Sequence, residues 1–144
     1  MKWITRKNAK VDRIACPWLI KKFIDKEAEF LFVLPEEVLS IAENESAISF
    51  DAPGANFTHT DDGKCTFEVL VERYKINDKA VKKLAKVVHG ADVPKDINIT
   101  PESAGLRTIA DGFRLMSKDD YDNMEKQFTV YDALYAYFKQ TVEE

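Results

Sequence analysis

The sequence predicts a single domain, residues 1–144, of the α/β to α+β class, with a small, mainly parallel three-stranded sheet followed by a helical C-terminal part. Three short apolar runs of strand length alternate with helical patterns in the N-terminal part. Four further helical patterns then follow without a repeat or a linker. At 144 residues the chain is long enough to bury one core without a disulfide or a structural metal.

The N-terminal elements follow from these runs in order. "KWIT" predicts a strand, and the polar loop "KNAKVDR" leads to a helix start at Cys16 and Pro17, because proline suits a first helical turn. "EFLFVL" predicts a second strand, "PEEVLSIAEN" a helix with acids at its positive end, and "AISF" a third strand. Strands that alternate with helices favour crossover connections and therefore parallel pairing.

The rest of the chain is a loop and then helices. "DAPGANFTHTDDGK", residues 51–64, is rich in turn residues, and ordered loops of this length are often functional. "CTFEVLVERY", "DKAVKKLAKVVHGAD", "TPESAGLRTIADGFRLM" with Thr100 as N-cap, and about twenty residues centred on "MEKQFTVYDALYAYFKQ" predict helices. The last helix carries aromatic side chains at three- and four-residue spacing, which predicts a core stripe of Phe128, Tyr131, Tyr135 and Phe138.

Composition limits the partners. A net charge of −4 provides no overall attraction to phosphate backbones, so nucleic acid is not an expected partner. The sequence has neither a run of about 18 apolar residues nor the apolar stretch of a signal peptide. We therefore expect a cytoplasmic protein with no membrane partner.

The two histidines predict a metal site. His59 and His89 each lie near carboxylates, at the boundaries of consecutive helices that can pack antiparallel. His59, Glu68, His89 and Asp92 would then provide two imidazoles and two carboxylates, a ligand set suited to Fe, Mn or Zn. Taken singly, each residue has a simpler interpretation: a solvated loop histidine, a first-turn glutamate that caps its helix, and a histidine in a last helical turn before Gly90.

A second group of residues forms a separate candidate. Asp12, Arg13 and Cys65 are predicted to contact substrate or to support the metal ligands, although Cys65 also fits a small buried hydrophobe. An alternative needs no metal: Arg13 and the helix start at Cys16 would hold an oxyanion such as chromate or sulfate. Asp12 could equally cap that helix and pair with Arg13. Both cysteines are expected to be free thiols.

Three blocks of the sequence resemble a known family. "KWITRKNAKVDRIACPWLIKKFIDKEAEFLFV", "FDAPGANFTHTDDGKCTFEVL", and "VVHGAD" with "PESAGLRTIADG" resemble the ChrB-type chromate-resistance proteins, in the form of a stand-alone C-terminal domain. The resemblance implies a role in chromate or oxidative-metal stress. With the ligand argument, it predicts a protein that binds one divalent transition metal for sensing or for redox or hydrolytic detoxification. An oxyanion-binding module or a protein-interaction domain is the alternative, and the residues do not decide whether the chain is an enzyme.

Overall fold

The computed structural model describes residues 1–143 and confirms the predicted class, a small parallel sheet followed by helices. The strands are β1 (Lys2–Arg6), β2 (Glu29–Val33) and β3 (Ile48–Ser49). Their order is β2-β1-β3, and β1 pairs in parallel with both neighbours. The predicted strands are therefore present, although the third is only two residues long.

Two helices accompany the sheet. Helix α1 (Asp12–Leu19) continues into a π-helical turn, Ile20–Ile24, and a 3-10 turn precedes α2 (Val38–Glu45). The predicted helix start at Cys16 is wrong, because α1 begins at Asp12 and contains Pro17 in its interior. An acidic side chain at the positive end of the helix marks its start here, rather than the proline.

The C-terminal part consists of four helices, as predicted. The last of these includes Tyr131 and Phe138, which are 0% and 7% exposed, so the aromatic stripe does belong to the core. No helix among residues 1–143 is both long enough and apolar enough to cross a bilayer. The helices are α3 (Thr66–Arg73), α4 (Lys79–Asp92), α5 (Ser103–Met116) and α6 (Asp120–Glu143).

Alternating side chains of β1 direct the two faces of the sheet to different cores. Trp3 packs into the main core, which contains Trp18 of α1 and Tyr131 of α6. Ile4 packs on the opposite face against Val38 of α2. The helices that follow β1 and β2 therefore cover opposite faces of the sheet.

The strand order places a topological switch point at the carboxyl end of the sheet. The chain leaves β1 for β2 on one side, and β3 then pairs on the other side of β1. In parallel sheets, ligand sites form beyond the carboxyl ends of the strands where connections diverge in this way. Arg6 ends β1, Asp51 follows β3, and Asp12 begins α1, so all three belong to this end of the sheet.

Candidate metal centre

One ring nitrogen of His59 is surrounded by three carboxylates. Its Nε2 lies 3.2 Å from Asp12 Oδ2, 3.2 Å from Asp51 Oδ1 and 3.1 Å from Asp92 Oδ2. The carboxylates come from the first residue of α1, the turn after β3 and the last residue of α4. The His59 side chain is 42% exposed, whereas those of Asp12 and Asp51 are 1% and 6% exposed. The cluster therefore has a buried acidic floor and an accessible imidazole.

Asp12 is held in place by the start of another helix. Its carboxylate accepts the backbone N–H groups of Thr66 (2.8 Å) and Phe67 (3.1 Å), the first residues of α3. The Cys16 thiol, one turn further along α1, donates to the same carboxylate over 3.4 Å. Free N–H groups at a helix start favour an anion, so α1 supplies the cap that α3 needs.

Asp51 is held by two arginines and a threonine. The Thr66 hydroxyl donates to Asp51 over 2.7 Å, while Arg6 Nη2 and Arg13 Nε lie 3.6 Å and 3.5 Å from its other oxygen. Its φ of 50° places it in the left-handed region, which aspartate tolerates better than most residues. The negative charge of Asp51 is thus largely matched by its own cations.

The ionisation of the cluster follows from this burial. Burial and the neighbouring Asp92 charge raise the pKa of Asp12 to about 7. Burial acts the same way on Asp51, but hydrogen bonds from His59 and Thr66 outweigh it and lower that pKa. Hydrogen bonds to Asp12, Asp51 and Asp92 raise the pKa of His59 to about 12. In the metal-free protein an imidazolium therefore holds the carboxylates together.

The second histidine forms a separate cluster. His89 Nδ1 lies 2.5 Å from Glu68 Oε1, and its Nε2 lies 2.7 Å from Asp96 Oδ2. Glu68 Oε1 also accepts the backbone N–H of Cys65 over 2.9 Å, so the predicted capping role and the contact with His89 coexist. The start of α3 thus meets the end of α4, as antiparallel packing requires.

The four predicted ligands therefore lie in two pairs. His59 contacts Asp92, and Glu68 contacts His89, but no hydrogen bond or ion pair within residues 1–143 joins the pairs. Gly90 lies inside α4 and does not end it. His89 and Asp92 are three residues apart on α4, a spacing that would let them converge, but His89 contacts Glu68 and Asp96 whereas Asp92 contacts His59.

The residues predicted to support the site have different positions. Asp12 is a central member of the His59 cluster, and Cys65 lies beside Glu68 and His89. Arg13 contacts Asp51 and donates to the carbonyls of Arg6, Lys7 and Asn8 over 3.3–3.4 Å. Cys16 and Cys65 are both buried free thiols. Cys16 lies in the second turn of α1, so it does not offer the free helix start that the oxyanion alternative assigned to it.

Sequence reasoning missed three participants: Arg6, Asp51 and Asp96. Asp51 could have been found, because it follows the strand pattern "AISF" and the carboxyl ends of parallel strands meet at one edge. Arg6 could have been found in the same way, because it is the last residue of β1. Asp96 has no such signal, because the 3-10 turn at Pro94–Asp96 returns it to His89.

The fold and the two clusters define a class of small α+β domain with histidine and carboxylate groups gathered beside a parallel sheet. Comparison with known proteins identifies the family. A family model described as ChrB, C-terminal domain, matches residues 3–138, and the chain belongs to this family.

A curated relative supports this assignment. Protein ChrB of Cupriavidus metallidurans is 36% identical over 139 residues, which cover 94% of this chain. The matched region is 40% of that relative, so the chain spans about two fifths of its length. No solved structure matches the chain.

Proposed function

We propose that this domain binds one divalent transition metal at the His59 cluster and that occupancy of the site is a signal in a chromate-linked stress response. The convergence of three carboxylates on His59 Nε2 carries the proposal. One N–H group cannot satisfy three acceptors equally, and a cation in its place would interact with all of them. Nitrogen and carboxylate ligands suit Fe, Mn or Zn.

The proposed ligands are Asp12, His59 and Asp92. A donor atom from each of these residues lies within 4.8 Å of the other two. Asp51 is better suited to orienting His59, because Arg6 and Arg13 already compensate its charge. This set keeps His59 and Asp92 from the predicted ligands and replaces Glu68 and His89 with Asp12.

The sensing role that we propose starts from the origin of the ligands in distant parts of the chain. Asp12 begins α1, His59 belongs to the loop after β3, and Asp92 ends α4. A bound ion would link these segments directly and would stabilise the folded state, by more the tighter it binds. The link to chromate rests on the family, and the role of the longer relatives is carried over here only as a proposal.

Metal analysis of the untagged protein tests this function. We would remove metal with a chelator, add Fe(II), Mn(II) or Zn(II), and measure the bound metal by mass spectrometry. His59→Ala should bind about one equivalent less than the parent. Asp61→Ala changes an exposed carboxylate in the same loop that is outside the cluster, and it should bind as much as the parent. Equal metal content in the parent and His59→Ala would reject the site.

A turnover assay separates sensing from catalysis. The metal-loaded protein would be incubated with superoxide or chromate, with the Asp12→Asn variant as the matched control. No turnover, together with a metal-dependent rise in melting temperature, is the expected result. Turnover that is lost in Asp12→Asn would assign the same centre to redox chemistry instead.

One observation favours oxyanion binding as a second candidate function. Arg6 and Arg13 both approach Asp51, and a chromate or sulfate ion could compete for these two guanidinium groups. In this candidate the oxyanion would contact Arg13 and Arg6, whereas the sequence predicted Arg13 and Cys16. With chelator present, chromate should then raise the melting temperature, and Arg13→Ala should lose that shift. The interaction-domain alternative stays a prediction.

A further inference from the structure

The His89 cluster contains a second set of potential metal ligands, which includes a thiol. One donor atom each from Cys65, Glu68 and His89 lies within 4.8 Å of the other two. We infer that these three residues form a second metal site, selective for a softer ion such as Zn²⁺ and independent of the His59 cluster. Sulfur, nitrogen and carboxylate oxygen are the ligand atoms that zinc takes in proteins.

The surroundings of His89 support this assignment. A histidine that binds a metal through one nitrogen almost always donates its other N–H to a carboxylate or a carbonyl. Asp96 lies 2.7 Å from His89 Nε2 and is suited to this role. The other nitrogen, Nδ1, then faces Glu68, and the Cys65 sulfur is close by. The arrangement orients the imidazole as a ligand would need.

Cys65 is placed where a thiolate would be tolerated. It is the N-cap of α3, and its sulfur accepts the backbone N–H of Glu68. The positive end of a helix stabilises a thiolate, whereas burial has the opposite effect and raises the thiol pKa. Without metal the residue is therefore a protonated thiol, and metal binding would release that proton.

The cluster also borders the surface. Glu68, whose side chain is 27% exposed, lines a groove of about 490 Å³ between α3 and α4. The groove has an apolar floor that includes Val71 and Ile76. Four lysines also line it, and the first of them pairs there with Glu72: Lys64, Lys75, Lys82 and Lys86. Because Glu68 borders this groove and the His59 cluster does not, an ion could reach Glu68 without passing that cluster.

Cobalt spectroscopy separates this site from the first one. Co²⁺ bound to a thiolate gives a ligand-to-metal charge-transfer absorption that nitrogen and oxygen ligands do not produce. We expect this band in the parent and in His59→Ala, and its loss in Cys65→Ser. Cys16→Ser removes the other buried thiol and should keep the band. A missing band in the parent, or a band that Cys65→Ser retains, would overturn the inference.

Zinc stoichiometry provides an independent readout. The parent should bind one more equivalent of zinc than His89→Ala, whether or not the His59 site is occupied. An unchanged zinc content in a folded His89→Ala variant would reject the second site. If Cys65→Ser does not fold, Asp96→Asn replaces it, because this variant keeps all three ligands. It should retain the cobalt band but bind Co²⁺ about 10–100-fold more weakly, and unchanged affinity would contradict the role of Asp96.

Discussion

The two histidines differ in how their carboxylate partners reach them. His59 belongs to a loop, and one of its nitrogens meets three carboxylates from distant parts of the chain. His89 belongs to α4, and each of its nitrogens meets a single carboxylate. The first cluster therefore depends on the sheet topology, whereas the second depends on the packing of α3 against α4. Histidine and carboxylate side chains thus form a cluster of three carboxylates around one ring nitrogen at His59, and two separate histidine–carboxylate contacts at His89.

The largest expected effect comes from the buried carboxylate of the first cluster. Asp12→Ala leaves the N–H groups of Thr66 and Phe67 without their acceptor. The combined loss of a helix cap and of buried hydrogen bonds should lower the free energy of unfolding by about 2–4 kcal/mol. Urea unfolding of the metal-free protein, followed by circular dichroism, measures this value.

The corresponding substitution in the second cluster, Asp96→Ala, should lower the free energy of unfolding by much less. Asp96 also contacts a histidine, but its side chain is 34% exposed. Exposed ion pairs contribute about 0–1 kcal/mol, so Asp96→Ala should stay within that range. A cost for Asp96→Ala equal to that for Asp12→Ala would show that burial does not distinguish the two clusters.

A glycine beside His89 gives the next largest effect. A Cβ atom on Gly90 would lie 2.3 Å from the Ser103 hydroxyl and 2.7 Å from the Ile99 side chain. Gly90→Ala should therefore force α4 and α5 apart and cost about 1–3 kcal/mol, despite the better helix propensity of alanine. Thermal unfolding of the variant and the parent tests this.

Gly112 on α5 provides the control for helix propensity. A Cβ atom there meets nothing within 4 Å. Gly112→Ala should therefore stabilise the protein by up to about 1 kcal/mol. If Gly90→Ala stabilised the protein as much as Gly112→Ala, α4 and α5 would not be in close contact at Gly90. The packing of α5 would then not fix the position of the adjacent His89.

The sequence predicted the local elements and the contact between the ends of α3 and α4. Apolar periodicity and cap residues identified the start of α3 and the end of α4, which is why Glu68 and His89 were placed in one predicted ligand set with His59 and Asp92. The same reasoning misplaced the start of α1, because Pro17 occupies a helix interior where a first turn was expected. Proline therefore did not mark the start of this helix, which begins at Asp12.

The composition of the first cluster could not be predicted in full. It depends on the strand order β2-β1-β3, which brings the segments after β1 and β3 together. Periodicity identified the strands but did not fix their order, so Arg6 and Asp51 had no assigned partners. Asp12 was proposed only as a supporting residue, because its contact with the start of α3 joins segments 54 positions apart.

A further expected effect is a difference in pH dependence between the clusters. Asp12 has a pKa of about 7 in the folded metal-free protein, against a reference value of 3.8. The folded state therefore binds more protons than the unfolded state between these values, and stability should fall as the pH rises through this window. The pKa of His89 is raised above 6.5, so His89 should contribute in the same direction, but only above that pH.

Two variants separate these windows in the presence of a chelator. Asp12→Asn keeps an oxygen acceptor for α3 but does not titrate, so its stability relative to the parent should increase between pH 4 and pH 7. We expect a change of about 1 kcal/mol, because Asp12 shares its titration with His59 and its other charged neighbours. His89→Gln should leave the pH dependence unchanged below pH 6.5. A constant difference between the parent and Asp12→Asn from pH 4 to pH 7 would mean that Asp12 is already ionised at low pH, and that the His59 imidazolium compensates its burial completely.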